Sequence, residues 1–161
     1  MEELNKNAVH IDETVYDGQA EQGVELDYVL PDYYPDIFKI LSCTLTPKIA
    51  SYNVSGSGDC KLNLDGIVYI KVLYLAENSS GVYCIDQRYT YTKTVDMSRG
   101  SQFSEPLVSM SMKSDYCNCR ATSPRRIDVR GAVSCRIKAS ASVEYALPEM
   151  PDGGIPNGEL W

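Results

Sequence analysis

The sequence predicts an all-β protein, either an antiparallel β-sandwich or an open barrel, with one short helix near residues 36–42. Strand-favouring residues are abundant and include 12 tyrosines in a chain of 161 residues. Several segments alternate between apolar and polar residues, which is the period of a strand with one face buried. Clusters of Gly, Ser, Asn and Asp separate these segments, as is typical of antiparallel strands joined by tight turns.

The length and composition fit one folded domain with short ends. Hydrophobic residues make up 43% and charged residues 23% of the chain, which is the average for a soluble folded protein. We expect residues 1–8 to be a disordered N-terminus, residues 9–146 a single β domain, and residues 147–161 a tail or linker. That last segment holds three prolines and three glycines, which disfavour a strand.

The first ordered segment, residues 9–29, predicts two extended stretches rather than one. The dipeptide Asp17-Gly18 lies between them and is a common turn signal. Pro31 and Pro35 follow, and proline lacks the amide hydrogen that strand pairing needs. We therefore expect the strand pattern to end before Pro31.

A short helix is predicted directly after these prolines. Asp36 is suited to cap a helix, and Ile37, Ile40 and Leu41 recur at the spacing of one helix face. The chain then returns to a strand pattern over residues 43–54.

The clearest strand pattern covers residues 61–75. One parity is apolar and consists of Leu62, Leu64, Val68, Ile70 and Val72. The opposite parity is partly apolar as well, through Ile67, Tyr69 and Leu73, so we expect this strand at the centre of a sheet. Further strands are predicted over residues 82–95 and 107–122.

The last predicted strand, residues 126–139, separates its apolar and charged faces completely. A slip of one residue would bury the charges, so its register is well determined. When this segment is aligned in sequence with residues 61–75, Gly131 matches Gly66. Both glycines lie in mid-strand, where the usual reason for a glycine is a bulge or a close backbone approach. An internal duplication and two similar amphipathic strands both explain this likeness.

The charge is unevenly distributed along the chain. Residues 1–36 hold ten acidic residues and one base, whereas residues 120–138 hold six basic residues and one acid. The net charge of -7 disfavours nucleic acid as a partner. The basic segment either meets an acidic partner or lies beside the chain's own acidic segment. The candidate interaction residues are Asp32, Tyr33, Tyr34, Arg125, Arg126 and Arg130.

The residues that catalysis or metal binding would need are scarce. His10 is the single histidine, and no phosphate-binding glycine motif or nucleophile motif occurs. The six cysteines contain no C-x-x-C pair, so structural zinc is not expected. We predict a protein that is not an enzyme and has no catalytic residues, cofactor or metal. The thiols are either reduced and buried or half-buried, or become oxidised later in an assembly.

Nothing in the sequence predicts export or membrane insertion. The start of the chain lacks the basic and apolar regions of a secretory signal. The longest apolar stretch, residues 67–76, contains Lys71 and is too short to cross a bilayer as a helix. We therefore expect a cytoplasmic protein.

Several segments together resemble a known family. They are the segment LPDYYPDIFKIL, a strand carrying Lys61, Gly66, Leu73 and Tyr74, the strand end YTYTKTVDM, and the closing strand SPRRIDVRGAVSCRIKA. The set resembles the SPOCS domain of SipL-type spore-coat morphogenetic proteins from spore-forming Clostridia and relatives. The similarity covers about residues 20–146.

The resemblance implies an all-β interaction module without catalytic residues. It would work in the mother-cell cytoplasm at the developing spore surface. The opposite charges of the two ends of the chain, together with long strand edges that can accept another strand, lead us to expect other spore-envelope proteins as partners, and self-association. The alternative function is a carbohydrate- or envelope-binding β-sandwich. Such a module needs an aromatic platform, which would have to use Tyr33, Tyr34, Tyr89 or Tyr91.

Overall fold

The chain forms six long antiparallel strands in the residues that the computed structural model describes, which are 8–55, 60–78, 81–97 and 106–146. The strands are β1 (Ala8–Val29), β2 (Ile37–Ser55), β3 (Lys61–Ala76), β4 (Val82–Asp96), β5 (Leu107–Ser123) and β6 (Arg126–Ala146). Within these ranges there is no helix, and hence no helix that is long and apolar enough to cross a membrane. The predicted N-terminal and C-terminal segments lie outside the described residues, except Ala8, which begins β1.

The six strands form two three-stranded sheets. The β6 sheet has the order β1-β6-β5, and the β3 sheet has the order β2-β3-β4. The sheets pack face to face through two hydrophobic clusters, each with residues from both sheets, so the all-β prediction is confirmed, and the sandwich is the arrangement found. β3 is a central strand, as its two partly apolar faces predicted.

The core lies between β3 and β6, the central strands of the two sheets. Alternate residues from Leu62 to Val72 and from Ile127 to Ile137 are buried, which confirms both predicted faces. Leu62 and Leu64 share one cluster with Cys135 and Ile137, and the second half of β3 packs with the first half of β6. The two central strands therefore run in opposite directions across the sandwich.

The prediction of a helix near residues 36–42 is wrong, because residues 37–42 begin β2 and residue 36 belongs to the connection before it. The pairing with β3 is irregular between Ile37 and Lys39 and again between Ile40 and Ser42. Each bulge adds one unpaired residue, which spaces the inward side chains Ile37, Ile40 and Cys43 three apart instead of two. Two consecutive bulges thus imitate the spacing of a helix face.

The predicted turn at Asp17-Gly18 is also wrong, because β1 continues through it without a break. β6 is long enough to pair with β1 over its whole length, and Gly18 lies opposite Ile137. The ring of Tyr16 covers Gly18, so that a Cβ atom there would collide with the tyrosine. The glycine makes room for a neighbouring aromatic ring instead of forming a turn.

The two mid-strand glycines do mark bulges and close approaches, as predicted. Gly66 lies opposite the bulge between Ile49 and Ser51, and the ring of Tyr91 covers it. Gly131 lies beside a bulge in β5. A Cβ atom on Gly131 would be 2.5 Å from the carbonyl oxygen of Tyr116.

Candidate interaction surfaces

The connection between β1 and β2, residues 30–36, is here called the linker, and Arg125 holds it in place. The Arg125 guanidinium donates hydrogen bonds to the carbonyl oxygens of Pro31 at 2.6 Å and Tyr34 at 2.9 Å. It also donates to the carboxylate of Asp36 at 2.8 Å. The amide of Leu30 donates to the Arg125 carbonyl oxygen at 2.8 Å. Arg125 therefore acts as a structural clamp on the linker.

This clamp brings four of the predicted interaction residues together, namely Asp32, Tyr33, Tyr34 and Arg125. Tyr34 is turned inward, and its hydroxyl donates to the carbonyl oxygen of Cys84 at 3.1 Å. Tyr33 lies against Tyr34 with ring centroids 5.0 Å apart, but it is 82% exposed. Asp32 is exposed as well. The linker thus exposes Asp32 and Tyr33 at the surface.

The basic segment on β6 lies against the chain's own acidic segment on β1, which confirms one of the two sequence interpretations. The ion pairs are Arg126–Asp27 at 3.3 Å, Arg130–Glu25 at 3.6 Å and Arg136–Asp17 at 3.2 Å. The register of β1 on β6 produces these pairs, since Glu25 lies directly opposite Arg130, and Arg126 and Arg136 lie two residues from the positions opposite Asp27 and Asp17. Arg126 and Arg130 are therefore largely neutralised within the chain.

The tyrosines considered as a carbohydrate platform do not lie on one surface. Tyr34, Tyr89 and Tyr91 pack against the core, so Tyr33 is the exposed member of that set. Tyr89 and Tyr91 are tilted at 35° with ring centroids 6.4 Å apart.

The outer face of the β3 sheet carries a groove of about 870 Å³, which we call the cationic groove. Its lining side chains include Thr44, Thr46 and Lys48 of β2, Tyr69 and Lys71 of β3, and Asp86 and Arg88 of β4. Tyr69 is 41% exposed and lies opposite Arg88. In the part of the chain that the structure describes, Lys48, Lys71 and Arg88 make no ion pair. The lining residues hold these three cations and one carboxylate, Asp86, which lies opposite Lys71, so the groove carries a net positive charge around an aromatic ring.

Sequence analysis missed the cationic groove. Its residues come from three strands and are scattered over the chain, so no local charge run marks them. The available signal was the partly apolar outer face of residues 61–75, which includes Tyr69 and indicated a central strand. Only the register of β2 and β4 on β3 shows that Lys48 and Arg88 flank this face.

Three cysteines, Cys43 of β2 with Cys117 and Cys119 of β5, form a thiol cluster between the two sheets. Cys117 and Cys119 face the same side of their strand, as predicted, and all three are half-buried free thiols. The Cys117 thiol donates to the Cys43 sulfur at 2.7 Å. A hydrogen bond from Cys43 holds the pKa of Cys119 below its usual value, whereas burial raises the pKa of Cys117 to about 12. Among the described residues, no group of three or more His, Cys, Asp or Glu is arranged to hold a metal ion.

The stability of the fold is expected to fall at alkaline pH because of its buried tyrosines. Tyr74 is fully buried and donates a hydrogen bond to the carbonyl oxygen of Pro35 at 2.8 Å. Burial, with a smaller contribution from Tyr34, raises its pKa. The stabilisation is therefore complete below about pH 10, the pKa of an unfolded tyrosine, and is lost as the pH rises toward the folded pKa.

Urea unfolding at pH 8.0 and pH 10.5 measures this loss. Tyr74→Phe should lower the free energy of unfolding by about 1 kcal/mol at pH 8.0, because one hydrogen bond is lost. Its further loss at pH 10.5 should be smaller than in the unsubstituted chain. Tyr52→Phe, at an exposed position, is the control and should leave the pH dependence unchanged. The same pH dependence in both variants would contradict the assignment to Tyr74.

Comparison with protein-family models gives a match to the family described as SipL, SPOCS domain, over residues 36–120. The matched region is just over half of the chain and contains β2, β3, β4 and most of β5. It includes the cationic groove and the thiol cluster. Comparisons with curated proteins and with solved structures give no match.

Proposed function

The chain belongs to the SipL SPOCS-domain family, and on that premise we propose that it is a non-enzymatic protein-interaction module that binds an acidic partner in its cationic groove. The resemblance inferred from the sequence is confirmed over residues 36–120, and the family indicates a sporulation-related role. The proposed partner is another spore-envelope protein. The proposed location is the mother-cell cytoplasm at the surface of the developing spore.

The observation that carries the proposal is the excess of positive charge in the groove, where three cations lie with one carboxylate, Asp86. Lys48, Lys71 and Arg88 surround Tyr69 on a chain whose net charge is -7. Cations that lack internal partners favour the approach of an acidic surface and determine its orientation. An exposed tyrosine at the centre supplies the aromatic anchor that protein interfaces commonly use. Arg126 and Arg130, by contrast, already have acidic partners on β1.

A defined acidic probe tests this assignment. We expect fluorescein-labelled decaglutamate to bind the full chain, and binding to weaken as salt concentration rises. The double variant Lys71→Glu/Arg88→Glu should weaken binding at least roughly tenfold, since two attractive contacts become repulsive. Fluorescence anisotropy at two salt concentrations measures both effects.

A matched control separates the effect of the groove residues on binding from the effect of the net charge of the chain. The double variant Lys113→Glu/Lys138→Glu makes the same change in net charge on exposed positions of the β6 sheet. It should bind the probe within about twofold of the unsubstituted chain. Equal weakening in both double variants would contradict a specific site in the groove.

A pull-down from sporulating cells with the same three baits identifies the natural partner. Envelope proteins that bind the unsubstituted chain and the control, but not Lys71→Glu/Arg88→Glu, support the proposal. Cortex or peptidoglycan fragments test the carbohydrate-binding alternative. Glycan binding that survives the charge reversal but is lost in Tyr69→Ala would favour that alternative over a protein partner.

A further inference from the structure

The thiol cluster connects two sheets that share no strand pairing. Cys43 lies in β2 of the β3 sheet, and Cys117 lies in β5 of the β6 sheet. Their sulfurs are 2.7 Å apart, and a disulfide bond of about 2.05 Å would need them only slightly closer. Both residues lie inside long paired strands, with Cys43 opposite Val72 and Cys117 opposite Gly131. Each residue directly follows a bulge, and from each cysteine to the next bulge the pairing of its strand is regular.

From this geometry we propose that Cys43 and Cys117 are an oxidation site, at which a low-molecular-weight disulfide converts the two thiols into an intramolecular disulfide that joins the sheets. The inference goes beyond the proposed binding function, because it concerns a covalent modification away from the cationic groove. A disulfide between β2 and β5 would lock the side of the sandwich on which these strands approach.

Cys119 is the thiol through which oxidation begins. It is half-buried and lines a surface cavity of about 330 Å³ together with Arg120 and Arg130. Because Cys43 donates a hydrogen bond to it, its thiolate is stabilised, and the thiolate is the form that attacks disulfides. Arg120, which makes no ion pair among the described residues, favours an oxidant that carries a carboxylate, such as oxidised glutathione, whereas Arg130 is already paired with Glu25 and Asp128.

The reaction consists of three exchange steps. The Cys119 thiolate attacks one sulfur of the small disulfide, forms a mixed disulfide and releases one small thiolate. Cys43 loses its proton and attacks the Cys119 sulfur, which releases the second small thiolate. Cys117 then loses its proton, attacks the Cys43 sulfur and releases the Cys119 thiolate. In total, two protein thiols lose two electrons and two protons, and one small disulfide is reduced to two thiols.

Oxidised glutathione added to the reduced full chain tests the proposal. We expect two of the six thiols to be lost in a titration under denaturing conditions, and peptide mapping to find Cys43 joined to Cys117. The new bond closes a loop of roughly 75 residues, so the melting temperature should rise by on the order of 10 °C. The product should remain monomeric on a non-reducing gel.

Three single variants test which cysteines take part in the oxidation. Cys43→Ser should prevent both the loss of thiols and the rise in melting temperature. Cys119→Ser should still give the Cys43–Cys117 bond, but on the order of tenfold more slowly. Cys84→Ser changes a half-buried thiol of β4 outside the cluster and should react like the unsubstituted chain.

Four outcomes would overturn the inference. They are six thiols that stay titratable, a product that stops at a glutathione adduct, covalent dimers, and a mapped bond other than Cys43–Cys117. Peptide mapping of the unsubstituted chain identifies the disulfide even if a variant fails to fold. A Cys119→Ser variant that reacts at the full rate would overturn the role of Cys119 as the attacking thiol.

Discussion

Replacement of Arg125 by alanine is expected to lower the free energy of unfolding by about 3 kcal/mol. The guanidinium donates to Pro31, Tyr34 and Asp36 at 2.6–2.9 Å, and it is only 35% exposed. Removal of this side chain leaves partly buried carbonyl groups of the linker without a donor. Urea unfolding measures the loss, and hydrogen exchange should increase over residues 30–36.

Two companion variants test whether the clamp itself causes the loss. Arg126→Ala removes an adjacent arginine that is 51% exposed and makes one ion pair, with Asp27, so it should cost less than about 1 kcal/mol. Arg125→Lys keeps the charge but lacks the planar fork, and an intermediate loss is expected. Equal stability of Arg125→Lys and the unsubstituted chain would mean that charge alone holds the linker.

Replacement of Gly131 by alanine should lower the free energy of unfolding by about 2–3 kcal/mol. The added Cβ atom would lie 2.5 Å from the Tyr116 carbonyl oxygen and 2.6 Å from Cδ1 of Leu45. The first of these atoms belongs to the backbone of β5 and cannot move without disturbing its pairing with β6. Thermal or urea unfolding measures the loss.

Gly23→Ala is the matched control for this substitution. Gly23 also lies inside a strand, but a Cβ atom there would have no neighbour within 4 Å. Alanine should be neutral or should stabilise the fold by up to about 1 kcal/mol, because it restricts the unfolded chain. If both glycine variants lost the same stability, the cause would be a general effect of strand glycines rather than crowding at Gly131.

Hydrophobic alternation predicted the strands well where pairing is regular. In residues 61–75 and 126–139 every second residue is buried, because each central strand has one face in the core and two hydrogen-bonded neighbours. Alternation failed at residues 37–42, where two bulges in succession shift the inward side chains. The extra residues there are Phe38 and Leu41, which are exposed although apolar, so their residue types did not indicate the bulges.

The distribution of charge along the chain identified Arg125 but neither its role nor the cationic groove. Arg125 was identified from its position in a basic segment, but its partners lie about ninety residues earlier in the chain and give it a structural role. The cations of the cationic groove were not identified, because their charges are dispersed over three strands. Charge runs report neighbours along the chain, whereas a surface combines residues from several strands.

By itself, the sequence determined the all-β class, the buried faces of the two central strands, the mid-strand positions of Gly66 and Gly131, and the family. These properties can be inferred from short segments, because the alternation of apolar residues and the positions of glycines depend on the environment of each strand. Only the tertiary structure decided that β1 is continuous, that Arg125 clamps the linker, and that Cys43 meets Cys117. Each of these depends on the register and packing of strands that are distant in the chain, and many residues determine that arrangement together.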